Sequence, residues 1–414
     1  MKRSSFIALN IIIALIIVIV ISLVLFLTWD EDPPNDGDLR LARLNIPDDE
    51  NAFTWYEKAR EKLAYTDDEQ DKLNVILEPE DQAPGPDVWT LAADVVDRNA
   101  EVFDLIARGN ACEQIQAPEV TRFTDELPYL GKWRTMARLM SIRAELLSRE
   151  GKHREALEQA MAGVRFGHKT GQCQGPVICW LVGVACKKIG YRRVHQLIAK
   201  TPLDDTDLQK ADSLLAPLET TADDLINSFR VEYVVNVNTV DDVMAGRYGP
   251  IGGKKRLPIL LPNQTKRLFA DHARTMIRNV SRNPAQYERS EAGRMLDEFS
   301  KRNPIAYRNI GGKMLIGMVL PAMGGVAKES LDERVWNRLT RLLIAIRRYH
   351  LATGGLPESL DKLVPQYIDA VPVDLFDGKP IRYDPAKKII YSIGTDCEDN
   401  GGDEEKDTVV KIEF

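Results

Sequence analysis

The hydrophobic pattern changes period three times along the chain. Phe6 to Trp29 is one unbroken apolar run without a charged residue. At about 1.5 Å per residue such a run crosses a hydrocarbon core about 30 Å thick. The apolar core of a cleaved signal peptide is shorter, about 7–15 residues, and ends in a small-x-small site; neither feature is seen here. Residues 6–29 are therefore expected to form a transmembrane helix. From Asn51 to Phe299 apolar residues recur at three and four, as in Ala52–Tyr65, Val88–Gly109 and Pro176–Lys200. Clusters of Gly, Pro and Asp punctuate them, which predicts a series of amphipathic helices over 51–300.

Between these regions WDEDPPNDGD (Trp29–Asp38) reads as an exposed acidic tether within a linker over 30–50. Ile310–Gly325 is apolar but broken by Pro321 and glycines, too short for a second span. It reads as a buried connector within 301–330. Leu331–His350 carries a helical stripe of Val335, Leu339, Leu342, Ile346 and Tyr349, stopped by Gly354-Gly355. Leu356–Ile368 offers a short helix between prolines. Two strand-like runs then flank Asp384–Lys387, and TVVKIEF supplies a third strand. The expected fold class is mainly α with a small α+β C-terminal module over 331–414: an N-terminal transmembrane helix, a helical-hairpin region, then one helix on a three-stranded antiparallel sheet.

Lys132–Gly167 reads as two helices meeting at Glu150-Gly151-Lys152. Ala144, Gly151 and Ala156 fall where a tetratricopeptide hairpin places small residues, and His153 falls where that repeat favours Tyr. No second copy follows at the repeat period, so an ordinary antiparallel pair is the plainer reading. Gly253–Arg282 is locally basic, either a contact for anionic lipid headgroups or a solvated helix face.

Lys2 and Arg3 precede the apolar run, and Asp30, Glu31 and Asp32 follow it. The positive-inside rule puts the N-terminus in the cytoplasm and residues 30–414 outside, in the periplasm of a bacterial envelope. The net charge of −7 argues against a nucleic-acid partner. The cysteines are Cys112, Cys173, Cys179, Cys186 and Cys397, an odd set. Cys179 and Cys186 share a helical face but lie too far apart along it for a disulfide and read as buried thiols. Cys112–Cys173 remains open as a bridge.

Signatures of familiar catalysis are missing. HExxH and GxSxG do not occur, and the five histidines show no i,i+4 pair for zinc. GGKK (Gly252–Lys255) and GGKM (Gly311–Met314) lack both the upstream Gly and the following Ser or Thr of a phosphate loop.

The C-terminal segment RRYHLATGGLPESLDKLVPQYIDAVPVDLFDGKPIRY, followed by YSIGTDCEDNGGDEEKD, resembles the globular half of a type II secretion major pseudopilin. It resembles more closely the same module at the end of large membrane-anchored bacterial proteins. Gly355, Pro357, Leu360, Leu363, Pro372, Asp374, Gly378, Tyr383, Tyr391, Ser392, Gly394 and Asp396 fit the family pattern. Leu375 and Phe376 stand where that family has Pro-Trp, and here a long helical region separates membrane helix and module. The resemblance implies a glycine-rich acidic loop that binds calcium.

Spacing nominates the same loop. Seven acidic residues and Lys406 occupy Asp396–Asp407. With Asp396 at position 1 of a calcium loop, Glu398, Asn400, Gly401 and Asp407 fall at positions 3, 5, 6 and 12. Asp396 and Asp407 are the candidate metal ligands, Asp399 and Asp403 alternates, with Asn400 or a backbone carbonyl completing the shell. A bound calcium would be structural, pinning the last strand. The other reading is a solvated acidic loop without metal. The functional expectation is a non-enzymatic single-pass envelope protein that contacts other proteins, within a type II secretion or pilus-like assembly. The alternative is an extracytoplasmic enzyme with a site between the helical region and the C-terminal module.

Overall fold

The computed structural model describes residues 2–77, 84–247, 259–299 and 308–414. Its first helix, α1 (Lys2–Thr28), contains the predicted apolar run, and no part of Asn10–Thr28 is buried against the rest of the chain. It is long and apolar enough to cross a membrane, as an anchor or a signal segment does.

Helices α2 (Ala52–Lys62), α3 (Asp67–Leu77) and α4 (Pro86–Arg98) pack on α6 (Tyr129–Arg149), and α5 (Ala100–Ala111) packs on α2. Their shared core includes Tyr56, Leu73, Val95, Trp133 and Phe166. An antiparallel pair then follows, α6 with α7 (His153–Gly171), turning at Gly151 with φ of 78°. The layer continues with α8 (Val177–Lys200) and α9 (Asp205–Leu215). The α7–α8 contact is close because glycines line it. A Cβ built on Gly183 would lie 2.4 Å from the backbone N of Gly171, too near for any side chain.

A second group contains α10 (Ala222–Met244), α11 (Pro262–Val280), α12 (Glu291–Phe299) and α13 (Ile310–Met323), around Val237, Leu268, Phe269 and Ile316. The predicted 301–330 connector is thus mostly helical from Ile310 onward, because its apolar residues close this core; 301–307 lie outside the described residues. The last helix, α14 (Val326–Thr353), starts five residues before the predicted Leu331 and ends at Gly354 with φ of 79°. Between its prolines, the expected helix over Leu356–Ile368 shrinks to a single 3-10 turn at Leu360–Leu363.

The sheet is as expected. β1 (Arg382–Asp384), β2 (Ile389–Ser392) and β3 (Thr408–Lys411) pair antiparallel in the order β1-β2-β3. Tyr383 faces Ile390, and Ile390 faces Val410. The C-terminal module is not a bead on a string. Leu339, Leu342 and Ile346 of α14 belong to one continuous core with Val164, Tyr191 and Leu208 of the helical region and Ile390 of β2.

The acidic segment after α1 also departs from expectation. It is docked rather than an exposed tether, because its carboxylates meet the basic residues of α11. Asp36 accepts from Tyr233 Oη at 2.9 Å, Asp38 pairs with Arg274 at 2.7 Å, and Leu39 is fully buried. The predicted basic stretch is neutralised by that segment and by its own neighbours: Arg267 pairs with Glu31 and Glu291, Lys266 with Asp241, and Arg282 with Glu288. Its beginning, 253–258, lies outside the described residues. All five cysteines are free thiols, so the Cys112–Cys173 bridge does not form. Cys179 Sγ instead lies 3.8 Å from Tyr129 Oη, and Cys179 and Cys186 are buried as expected.

Candidate functional site

The acidic loop hangs between β2 and β3, which hold its two ends side by side through the Ser392–Thr408 pair. Backbone turns with positive φ at Gly394, Cys397, Gly401 and Gly402 fold it back on itself. At Gly402 the space is closed as well: a Cβ would meet Ile389 Cδ1 at 2.3 Å.

Each nominated ligand has a definite partner. Asp396 accepts from Glu398 N–H at 3.0 Å and from Asn400 Nδ2 at 3.1 Å. Asp399 accepts from Gly401 N–H at 3.1 Å, Tyr391 Oη at 3.3 Å and Arg382 Nε at 3.3 Å. The Gly401 amide and the Arg382 guanidinium hold its carboxyl below the usual range, against a smaller opposing effect of burial. Asp403 accepts from Glu405 N–H at 2.9 Å. Asp407 is nearly buried and turned inward. Its Oδ2 accepts from Gly402 N–H at 2.7 Å and Asp403 N–H at 3.2 Å.

In this arrangement the nominated side chains turn to separate donors and do not gather around one point. Calcium takes six to eight oxygens around one point. Here Asp396 and Asn400 face each other, Asp399 faces Arg382, and Asp407 is committed to backbone amides. Among the described residues no group of three or more His, Cys, Asp or Glu side chains could hold a metal ion. The loop disperses its charge onto its own amides and onto cations from outside it: Arg382, Lys411 on Glu404 at 2.8 Å, and Lys387, which donates to Gly401 O at 2.8 Å.

The centre of the module is a carboxylate that sequence spacing does not single out as a site. Asp374 is fully buried and accepts four hydrogen bonds: from Arg382 Nη1 at 2.6 Å, Ser392 Oγ at 2.9 Å, Phe376 N–H at 3.0 Å and Ile393 N–H at 3.1 Å. Arg382 extends the network to Asp377 and Asp399. One buried anion thus joins the turn-rich loop, β1 and the end of β2. Its only sequence signal is membership of the pseudopilin-like pattern.

Three of the five histidines are held below the neutral range. Burial pushes His168 and His195 down to about 3 and His272 to about 4. His272 Nδ1 lies 3.0 Å from Ser290 Oγ, but that oxygen also accepts from Gly293 N–H at 3.1 Å at the start of α12, and His272 Nε2 is buried without a partner. A Ser–His pair without an orienting carboxylate on the far nitrogen is a helix cap rather than a nucleophile and base.

Compared with family models, curated proteins and solved structures, the chain matches none.

Proposed function

We propose that this chain is a membrane-anchored envelope protein, with its body outside the cytoplasm, that acts by contacting other proteins and not by catalysis. The observation that carries the reading is the docking directly after α1. Asp30 and Glu31 bind the start of α11, and Arg308 Nη2 donates to Trp29 O at 2.9 Å, so the body is held in a fixed attitude beside the apolar helix. Fixed presentation of a surface near a membrane suits a contact role. The flanking charges orient the body outward.

The pseudopilin-like module supports contact with a secretion or pilus-like assembly, but not incorporation as a fibre subunit through α14. That helix is already packed on its own chain, with Val335, Leu339, Leu342 and Ile346 fully buried. Depressed histidine pKa values and the capped Ser290 weigh against the enzyme reading.

The test is photo-cross-linking in intact cells from Phe123 and Ile178, which are 78% and 47% exposed, in the full-length chain. One discrete heavier species, formed with the body accessible to external protease, is expected. A chain that stays uncross-linked from both positions, or a body protected from external protease, would remove the proposal.

A further inference from the structure

Two helix faces meet across a cavity of 310 Å³ that no part of the preceding argument uses. From α6 it is lined by Arg134, Arg138 and Ser141, one stripe at i, i+4 and i+7. From α8 it is lined by Lys188, Arg192, Arg193 and Gln196. Among the described residues the lining contains no carboxylate.

The cations differ in their freedom. Arg193 is almost fully buried and fixed: it donates to Ser141 Oγ at 3.1 Å and Ile76 O at 2.9 Å, and pairs with Glu145. Lys188 pairs with Glu329 at 2.6 Å and Asp332 at 2.8 Å on α14. Arg134 and Arg138, one helical turn apart, have no carboxylate partner among the described residues. Arg134 is exposed and Arg138 half-buried at the cavity wall, and two guanidinium groups one turn apart repel each other, which an incoming anion relieves.

From this we infer that the α6–α8 cavity binds a small, multiply charged oxyanion, in the first place a phosphate-bearing organic molecule. Guanidinium groups match phosphate oxygens in bidentate pairs, and two arginines on one stripe present two such forks. Asn74, Ser141 and Gln196 add neutral hydrogen-bonding groups on the wall. The volume is the lower end of the range for small-molecule sites, about 300–1,000 Å³, and exceeds what one inorganic ion fills. Ser141 Oγ accepts from Arg193 Nε and Lys188 is paired with Glu329 and Asp332, so both are engaged in holding the wall.

The experiment is isothermal titration of the full-length chain in nanodiscs of neutral lipid, with inorganic pyrophosphate, glycerol 3-phosphate and citrate as probes. Saturable binding that weakens with added salt is expected for at least the phosphate probes. The Arg134→Gln/Arg138→Gln variant should weaken it by roughly tenfold or more. A charge-matched control, Lys132→Gln/Lys200→Gln on exposed positions of the same helices, should keep it. Should the double variant melt early, Arg138→Lys, which keeps charge but loses the fork, is expected to bind several-fold more weakly with an unchanged melt. Adding phosphatidylglycerol to the nanodiscs distinguishes sources: competition assigns the headgroup of a lipid, and its absence assigns a soluble molecule. No binding of any probe at millimolar concentration, or an equal loss in the lysine control, overturns the inference.

Discussion

The carboxylate of Asp30, two residues beyond the end of α1, caps α11: Oδ2 accepts from Asn263 N–H at 2.7 Å and Oδ1 from Gln264 N–H at 3.0 Å. A residue next to the apolar helix thereby satisfies orphan donors of a helix more than two hundred positions away. Asp30→Ala is expected to cost about 1 kcal/mol. Its signature is faster proteolysis around Pro33-Pro34, with the core melt little changed. Unaltered proteolysis would mean that Glu31, Asp36, Asp38 and Leu39 hold the segment without the Asp30 cap.

Asp374→Ala should be the most damaging substitution in the C-terminal module. It removes the buried one of Arg382's three carboxylate partners and leaves four donors without their acceptor, a loss of about 3–5 kcal/mol for a broken buried ion pair. Denaturant unfolding of the full chain should show it, and hydrogen exchange at Ile393 N–H should rise. Asp374→Asn keeps an acceptor oxygen and is expected to recover part of the loss.

The acidic loop separates two outcomes. Since Asp407 is held by the amides of Gly402 and Asp403, Asp407→Ala is expected to loosen β3 in metal-free buffer, by about 1–3 kcal/mol. Chelation of divalent ions should leave the melting temperature of the unaltered chain unchanged. A fall on chelation, restored by calcium and abolished in Asp396→Ala, would put a cation back in the loop.

Acid sensitivity has a worked sign. His195 is half-buried, stacked on Trp336 with ring centroids 5.7 Å apart, and its Nε2 lies 2.7 Å from Thr340 Oγ1. Burial, helped by the Arg192 charge, pushes its pKa down to about 3. The unfolded chain titrates near 6.5 and so binds more protons between those values. The stabilisation is complete above about pH 6.5 and is lost as pH falls toward 3. Glu232 and Asp224, raised by burial, act in the opposite sense, so the slope below pH 6.5 is read as the difference between the unaltered chain and the variant. His195→Gln should flatten the decline of melting temperature over that range; an unchanged slope would place the effect on His168 and His272.

Gly183→Ala tests the α7–α8 contact. With the backbone N of Gly171 only 2.4 Å from the new Cβ, the helices must part, and a loss of more than 2 kcal/mol is expected by the overpacking range of about 1–3 kcal/mol and above. Gly151→Ala tests only the turn and should cost about 1 kcal/mol. If the two cost the same, close helix approach is not what Gly183 supplies.

The apolar span, the amphipathic helices, the stop at Gly354 and the three strands were legible in the residues because each depends on a local period or a local turn. Periodicity identifies which face of α14 is apolar, but not what covers it. The tertiary structure decided that the cover is the helical region itself, so that module and body share a core. It also decided every electrostatic question. The run of carboxylates from Asp396 to Asp407 has metal-like spacing in one dimension, yet in space its charges turn to separate donors, Asp399 to Arg382 and Asp407 to the loop amides. The acidic tether and the basic helix α11 each look exposed when read alone, and neutralise one another once folded. Arg134 and Arg138 are two ordinary helix arginines until α8 brings Lys188 and Arg193 opposite them. A charge takes its meaning from its nearest partner; some lie a few positions away across a turn, as for Asp407, and others more than two hundred, as for Glu31 and Arg267, and no local pattern selects among them.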